Sequence, residues 1–507
     1  GRSTGASAFS QSLAAGAAED AAIAEWYRKT GYEPLWTGAD DADRRAAFLA
    51  AIAHAGDHGL PVQRYDVGAL TQALRAATTE GDRGRAELAL TRAYLAWAHD
   101  LTSGAVVPHE VDPGILREVA VIDPMVLLAE ISGDDPQAVL DRLLPKSPAY
   151  MHLLKAKIGL EGTIAGGGWG EPLAMTTLHP GDTGPDVVAL RDRLLAMGYL
   201  APTATATYDK AIEQAIVAFQ ADHGLPADGI ASEVTLTELN IPAEARLKSV
   251  IVALERERWL HIDRSVRHIW VNLPDFHARI YDEGRVVFET RVVIGKDVRD
   301  QRSPEFSDEM EHMVINPSWG VPRSIVVKEY LPMLQQNPNA VGHLQVVDGR
   351  GRVVPRGSVD FTAYSAGSFP YGLRQPPSDG NALGLVKFMF PNPYNIYLHD
   401  TPSKSLFEKD VRAFSHGCIR VGDPFDLAYA LLSLQSSDPK ALFKEHLDTG
   451  KETLVKLDHN VPVHLVYFTA YPDDRGQITY RRDVYGRDAA LYQALEAAGV
   501  ALGGVQG

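Results

Sequence analysis

The sequence predicts a multidomain α+β protein, and three observations carry that expectation. The chain has 507 residues, whereas a single hydrophobic core stops growing at roughly 250–300. Its first third is Ala-rich with apolar residues at helical spacing, and from His268 onward the pattern changes to β-branched runs. Apolar residues make up 45% and charged residues 22%, close to globular averages, which excludes a mainly disordered, collagenous or membrane-embedded chain.

The first expected unit is a helical scaffold over 16–165. Ile23, Trp26 and Tyr27, then Phe48, Leu49, Ile52 and Ala53, recur at helical intervals, and a long helix resumes over Ala89 to Leu101. Tyr32-Glu33-Pro34-Leu35-Trp36 interrupts it, since proline disfavours helix at itself and at the residue before. Gly166-Gly167-Gly168, with Gly170 beyond Trp169, offers too little side chain to pack and marks a boundary. Three short amphipathic helices follow over 178–240. Val187, Leu190 and Leu194 share one face ending near Gly198; Ile212, Ala215 and Phe219 share another ending at Gly224; Ser232 is placed to cap a third with Leu236 and Leu239. The runs "HPGDTGPDVVALRDRLLAMGYL" and "YDKAIEQAIVAFQADHGLPADGIASEVTLTEL" resemble the peptidoglycan-binding domain family, whose members bind wall polymer or merely pack. The spacing of His179 and Asp186 has one half of a zinc-site pattern without a second half, so turn and cap roles are the simpler reading.

A connecting helix is expected over 243–264 and a β-rich unit over 265–493. Its strands read from His268–Leu273, Ala278–Tyr281, Val286–Gly295 and His312–Asn316 through Val461–Tyr467 and Ile478–Arg482. An irregular insertion containing proline and glycine over 323–381 interrupts it, and excursions of that length are usually functional lids or disordered, not core.

Charge and cysteine content narrow the chemistry. Lys and Arg number 49 against 65 Asp and Glu, a net −16 that repels phosphate backbones and anionic lipid; no nucleic-acid partner is expected. No apolar stretch of about 18 residues is present to span a bilayer. The start Gly1-Arg2-Ser3-Thr4, without Met or an apolar segment, suggests an end from which an export signal has been removed. The single cysteine, Cys418, excludes intramolecular disulfides and Cys-rich zinc modules.

Around Cys418 the sequence gathers what a thiol enzyme needs. His416 and Gly417 precede it, His399 lies 19 residues upstream and Arg420 follows. A free thiol is mostly protonated at neutral pH, so a nucleophilic cysteine needs a base or a positive potential. His399 or His416 supplies the first. Asp423-Pro424 opens the next helix, and the positive end of its dipole is expected to favour thiolate. Gly417 lets main-chain N–H groups approach a developing oxyanion. Against this stand plainer readings: a lone cysteine is often simply buried, a zinc site from His399, His416 and Cys418 lacks a partner at usual spacing, and Arg420 is either a paired strand charge or a fork for a substrate carboxylate.

Ser415-His416-Gly417-Cys418-Ile419-Arg420 with His399 upstream resembles the motif of the L,D-transpeptidases, YkuD-like cysteine enzymes of bacterial cell-wall assembly. "VINPSWGVPRSIVVKEYLP", "LRQPPSDGNALGLVKFMFPNPYNIYLHDTPSKSLFEKDVRAF" and "YEPLW" are similar to the large YcbB-type branch, with its helical scaffold, peptidoglycan-binding domain and capped catalytic domain. Gln375-Pro376-Pro377 departs from that pattern, which has Gly after the first Pro. The resemblance implies Cys418 as nucleophile, His399 as general base and acid, and the carbonyl or side chain of Asp400 orienting its imidazole. It further implies His416 in the pocket, the N–H groups of Gly417 and Cys418 as oxyanion hole, Arg420 and Ser415 shaping the site, and Trp319 and Tyr371 seating the donor. The activity implied is acyl transfer between peptidoglycan stem peptides through a thioester, in the periplasm, without metal or cofactor and open to β-lactams of the carbapenem class. Cross-linking 3→3 or 1→3, exchange with a free D-amino acid, a cysteine carboxypeptidase, and a non-catalytic wall-binding protein remain open at this point.

Overall fold

The structure, a computed structural model, describes residues 6–502; Gly1 to Thr4, read above as a processed end, lie outside the described residues. The chain divides into two units, 1–262 with 468–507, and 263–467. No helix among the described residues is long and apolar enough to cross a membrane.

The first unit is built on the helix Glu80–Ser103, which starts from a capping box between Thr79 and Asp82. Leu90, Tyr94, Trp97 and Leu101 lie on its buried face against Trp36, Phe48 and Leu128. The helix Ala8–Gly16 packs on it through Phe9 and Leu13, so the scaffold core begins ahead of residue 16. The proline-broken segment is pinned rather than loose. Glu87, fully buried in the middle of the long helix, accepts from the N–H groups of Leu35, Trp36 and Thr37 and from the hydroxyls of Thr37 and Tyr27. Removing that carboxylate strands five buried or half-buried donors. Glu87→Ala is expected to lower the urea unfolding free energy of this unit by about 3 kcal/mol or more, read by tryptophan fluorescence at Trp36 and Trp97.

The three small helices fall at Pro185–Ala196, Lys210–Asp222 and Glu233–Leu239 around Val187, Leu190, Ile212, Phe219 and Leu236. Ser232 occupies the N-cap position of the third, but its side chain makes no capping bond. The connecting helix runs Ala243–Trp259. The β-rich unit, expected to reach Gln493, closes at Tyr467 instead. From Phe468 the chain rejoins the first unit as a hairpin, Ala470–Pro472 with Ile478–Tyr480, and a helix, Arg487–Ala497. Specific contacts explain the return: Tyr480 stacks on His223, Arg482 reaches Glu238, and Arg256 pairs with Asp488.

The second unit carries β1 His268–Asn272, β2 His277–Asp282, β3 Arg285–Gly295, β4 Phe306–Ile315, β5 Trp319–Gly320, β6 Gln345–Val347, β7 Val353–Val354, β8 Gly372–Gln375, β9 Val386–Met389, β10 Leu398–His399, β11 Ala413–Ser415, β12 Ile419–Val421 and β13 Thr453–Val466. Nine of them form one sheet in the order β11-β3-β12-β10-β9-β4-β13-β1-β2, and β2 pairs again with β3. The ladder therefore closes on itself, which leaves no open edge in the ring from β3 round to β2. The insertion is not irregular. It is a small subdomain with the sheet β5-β8-β6-β7 and a core of Ile325, Leu334, Phe361, Phe369 and Leu373.

Candidate active site

Residues two apart on a strand point to the same side, and residues in register on neighbouring strands share a face. β10 runs parallel to β12 with His399 beside Arg420, and antiparallel to β9 with His399 beside Lys387. Leu398 and Ile419, one residue away, are fully buried on the other face. Cys418, two residues before Arg420, thus emerges on the side of His399 and Arg420, and the three line one cavity of about 830 Å³. Trp319, Ser415 and His416 line it as well, together with Glu329, Tyr330, Asn395 and Tyr397.

The imidazole of His399 is buried and its Nδ1 bonds to the main-chain carbonyl of Asp400. The carbonyl, and not the carboxylate, is what orients it. Nδ1 carries the proton, and Nε2 keeps its lone pair. The Asp400 carboxylate is used elsewhere, accepting from the N–H groups of Leu385 (2.9 Å) and Thr401 (2.7 Å) and pairing with Lys404. That grip requires Gly384: at φ +61° a Cβ there would lie 2.3 Å from the Asp400 carboxyl. The strap before it is fixed by buried Asn381, which donates to the carbonyls of Gln375 and Pro376, so Gln375-Pro376-Pro377 builds an ordered turn.

Protonation is set by burial. Desolvation pulls His399 down to about 4, assisted by the Arg420 charge, and pushes the Cys418 thiol up to about 11 against the opposing pull of the Tyr397 N–H and of Arg420. The resting pair is therefore neutral thiol and neutral imidazole. The S–H donates to the carbonyl of Asn395 at 3.5 Å, and among the described residues no hydrogen bond joins Cys418 to His399. The expected thiolate at a helix end is not found. The helix Pro424–Leu432 begins beyond β12, and a strand of that length carries the chain roughly 10 Å, past the reach of a first-turn dipole. Alkylation of Cys418 by iodoacetamide should accordingly climb about tenfold per pH unit from pH 7 to 10, followed by intact-mass spectrometry; a plateau already at pH 7 would contradict a protonated thiol.

Gly417 also departs from expectation. Its φ is +121°, but its N–H is spent on Ser415 Oγ (3.1 Å) while its carbonyl accepts from Ser303 (2.6 Å). The main-chain N–H of Cys418, with no acceptor among the described residues, is the donor left free at that turn. Ser415, buried, donates in turn to the Cys418 carbonyl, so the residue that lines the cavity also braces the turn. Tyr371 is placed away from the cavity, its ring packed with Tyr364 and Phe369 in the insertion's core. His416 pairs through Nε2 with Glu329 Oε1 at 2.6 Å, and the neighbouring Lys328 pairs with Asp300 at 2.8 Å. Both acquire partners across the mouth from a π-helical turn, Val326–Tyr330. Nothing in the sequence near His416 signals Glu329. Asn395, in the left-handed region at φ +55°, was carried only within the resemblance. Among the described residues no group of three or more His, Cys, Asp or Glu is placed to hold a metal, and the His179 N–H closes a turn onto Asp182.

Comparison with known proteins follows this geometry. Residues 266–453 match the family described as "L,D-transpeptidase catalytic domain", YkuD. The second unit carries an L,D-transpeptidase catalytic domain. Ahead of the transpeptidase domain, residues 21–156 match "Scaffold domain" and 183–239 match "Putative peptidoglycan binding domain", the multidomain layout of the YcbB-type branch. A curated Haemophilus influenzae protein named "Putative L,D-transpeptidase" is 34% identical over 225 residues, 44% of this chain and 45% of that one; the match spans less than half of the relative's length. Solved L,D-transpeptidases from Xylanimonas cellulosilytica and Stackebrandtia nassauensis are each 17% identical, covering 58% of this chain and 100% and 96% of theirs, at TM-scores of 0.18 and 0.22. At those scores the superpositions carry no weight below.

Proposed function

We propose that this transpeptidase domain cross-links peptidoglycan stems through a thioester on Cys418. The observation that supports it most is the pairing of one thiol with a neutral, Nδ1-anchored histidine on the same face of one cavity. Because thiol and imidazole rest neutral, proton transfer is coupled to attack instead of preceding it. Sγ attacks the carbonyl of the meso-diaminopimelate residue of a tetrapeptide stem as its proton passes to His399 Nε2. The N–H of Cys418 faces the oxyanion. The C–N bond breaks, the departing D-Ala amine takes the proton from Nε2, and a thioester remains. An amine of a second stem then attacks; His399 accepts its proton and returns one to the thiol, giving a 3→3 cross-link. A 1→3 link or exchange with a free D-amino acid follows the same steps with another acceptor.

The insertion, bonded across the mouth through Glu329 and Lys328, supports transfer over hydrolysis, because a covered thioester meets less water. Peptidoglycan as substrate places the reaction in the periplasm, with the 183–239 unit as the wall-facing module. Incubation of the full chain with disaccharide-tetrapeptides, followed by mass spectrometry, tests the reading: dimers and free D-Ala are expected. Free D-Ala with tripeptide alone would make it a carboxypeptidase, and unchanged substrate would leave a wall-binding role.

A further inference from the structure

Arg420 is the odd arginine of this chain. Other arginines of the interior have acceptors: Arg258 holds Glu255, Arg246 holds Glu238, and Arg412 donates to the carbonyls of Val292, Lys409 and Phe276. Arg420 is half-buried, its Nε is sealed from solvent without a hydrogen-bond partner, and no acceptor for its guanidinium is found among the described residues. The carboxylates at the cavity are already taken, Asp300 by Lys328, Glu329 by His416 and Asp400 by Lys404. A guanidinium partly withdrawn from water, with one N–H unsatisfied, gains from an anion that a ligand supplies.

Its place indicates which anion. Cys418 stands in the bend that leads into β12 and Arg420 lies two residues on within that strand; both line the one cavity, no more than about 7 Å apart at the main chain. In a peptide whose scissile carbonyl sits at Sγ, the carboxyl carbon of the next residue lies three bonds on, within about 4 Å. A guanidinium fork is matched to a carboxylate in two parallel hydrogen bonds. We propose that Arg420 binds the free terminal carboxylate of the residue that leaves, so that only a stem ending one residue past the scissile bond is a donor. This rests on the thioester reading above. A stem longer by one residue puts a neutral amide at that point, leaving the guanidinium bare.

The test compares a disaccharide-tetrapeptide with its C-terminal carboxamide, measuring thioester formation on the full chain by intact mass. The free acid should exceed the amide in kcat/KM by about 100-fold or more. Arg420→Gln should lower kcat/KM for the acid by a similar factor and leave acid and amide nearly equal, and Arg420→Lys should restore part of the preference. A second readout needs no stem peptide: the ratio of Cys418 alkylation by iodoacetate to that by iodoacetamide. A change in thiolate fraction moves both rates together, so the ratio isolates attraction for carboxylate, and it should fall severalfold in Arg420→Gln. Should the variant keep the acid preference while stems still react, the proposal is overturned and the thioester reading stands. Should no stem react with the unmodified chain while the alkylation ratio still depends on Arg420, the thioester reading fails and the carboxylate site stands. An alkylation ratio indifferent to Arg420 counts against the site in either case.

Discussion

Cys418→Ala is expected to remove cross-linking and D-Ala release by about 10⁴-fold or more, since in the proposed mechanism its thiol carries the covalent step. The chain has no second thiol to substitute for it. The side chain is half-buried at the cavity wall and makes one hydrogen bond, to Asn395, so its loss should leave thermal stability nearly unchanged. Unaltered melting with abolished turnover is the signature of a reacting group and not of a packing one. A carbapenem should add its own mass to the unmodified chain and nothing to the variant. Retained cross-linking in Cys418→Ala would end the thioester mechanism.

His399→Ala is the second large effect, with a pH dependence that follows from the two shifted groups. With the thiol at about 11, the thiolate fraction at pH 7 is on the order of 10⁻⁴. Acylation in the variant should therefore fall by about 10²–10⁴-fold at pH 7 and recover roughly tenfold per pH unit as the pH rises, because thiolate then forms without a base. The unmodified chain should behave otherwise. His399 at about 4 is neutral from about pH 5 upward, so acylation should be flat through neutrality and decline only as the pH falls toward 4. Progress curves from pH 4 to 10 with one tetrapeptide donor separate the two profiles. A wild-type bell centred near pH 7 would mean that His399 titrates there.

The residues proposed to do the chemistry were the legible ones, because a Ser-His-Gly-Cys turn with an upstream histidine is a local pattern and both ends line one cavity. The three helices at 183–239 were legible for the same reason, each with its own apolar stripe and the first two with a glycine stop. What escaped was set by neighbours distant in sequence. Glu329 meets His416 from 87 residues away, and Ser415 captures the Gly417 N–H that a linear reading assigns to an oxyanion. The helix after Asp423 promised a positive end, yet three residues of strand stand between it and the thiol. Tyr371 was expected to seat the donor and packs instead against the insertion's core, since its aromatic neighbours Tyr364 and Phe369 had been read only as loop. The strand at Ile478–Tyr480 was recognised as strand, but no periodicity says which sheet a strand joins.

That strand's allegiance bears on how the protein is made. The transpeptidase unit is inserted in the first unit, whose last hairpin and helix emerge only after residue 467. Domains ordinarily fold in the order of synthesis; here the unit begun first is finished last. Until Tyr480 reaches His223 and Asp488 reaches Arg256, the scaffold and the three-helix module wait with an aromatic ring and a buried cation uncovered. The closed sheet can meanwhile form around Cys418, so the cavity is assembled before the unit that was begun ahead of it is complete.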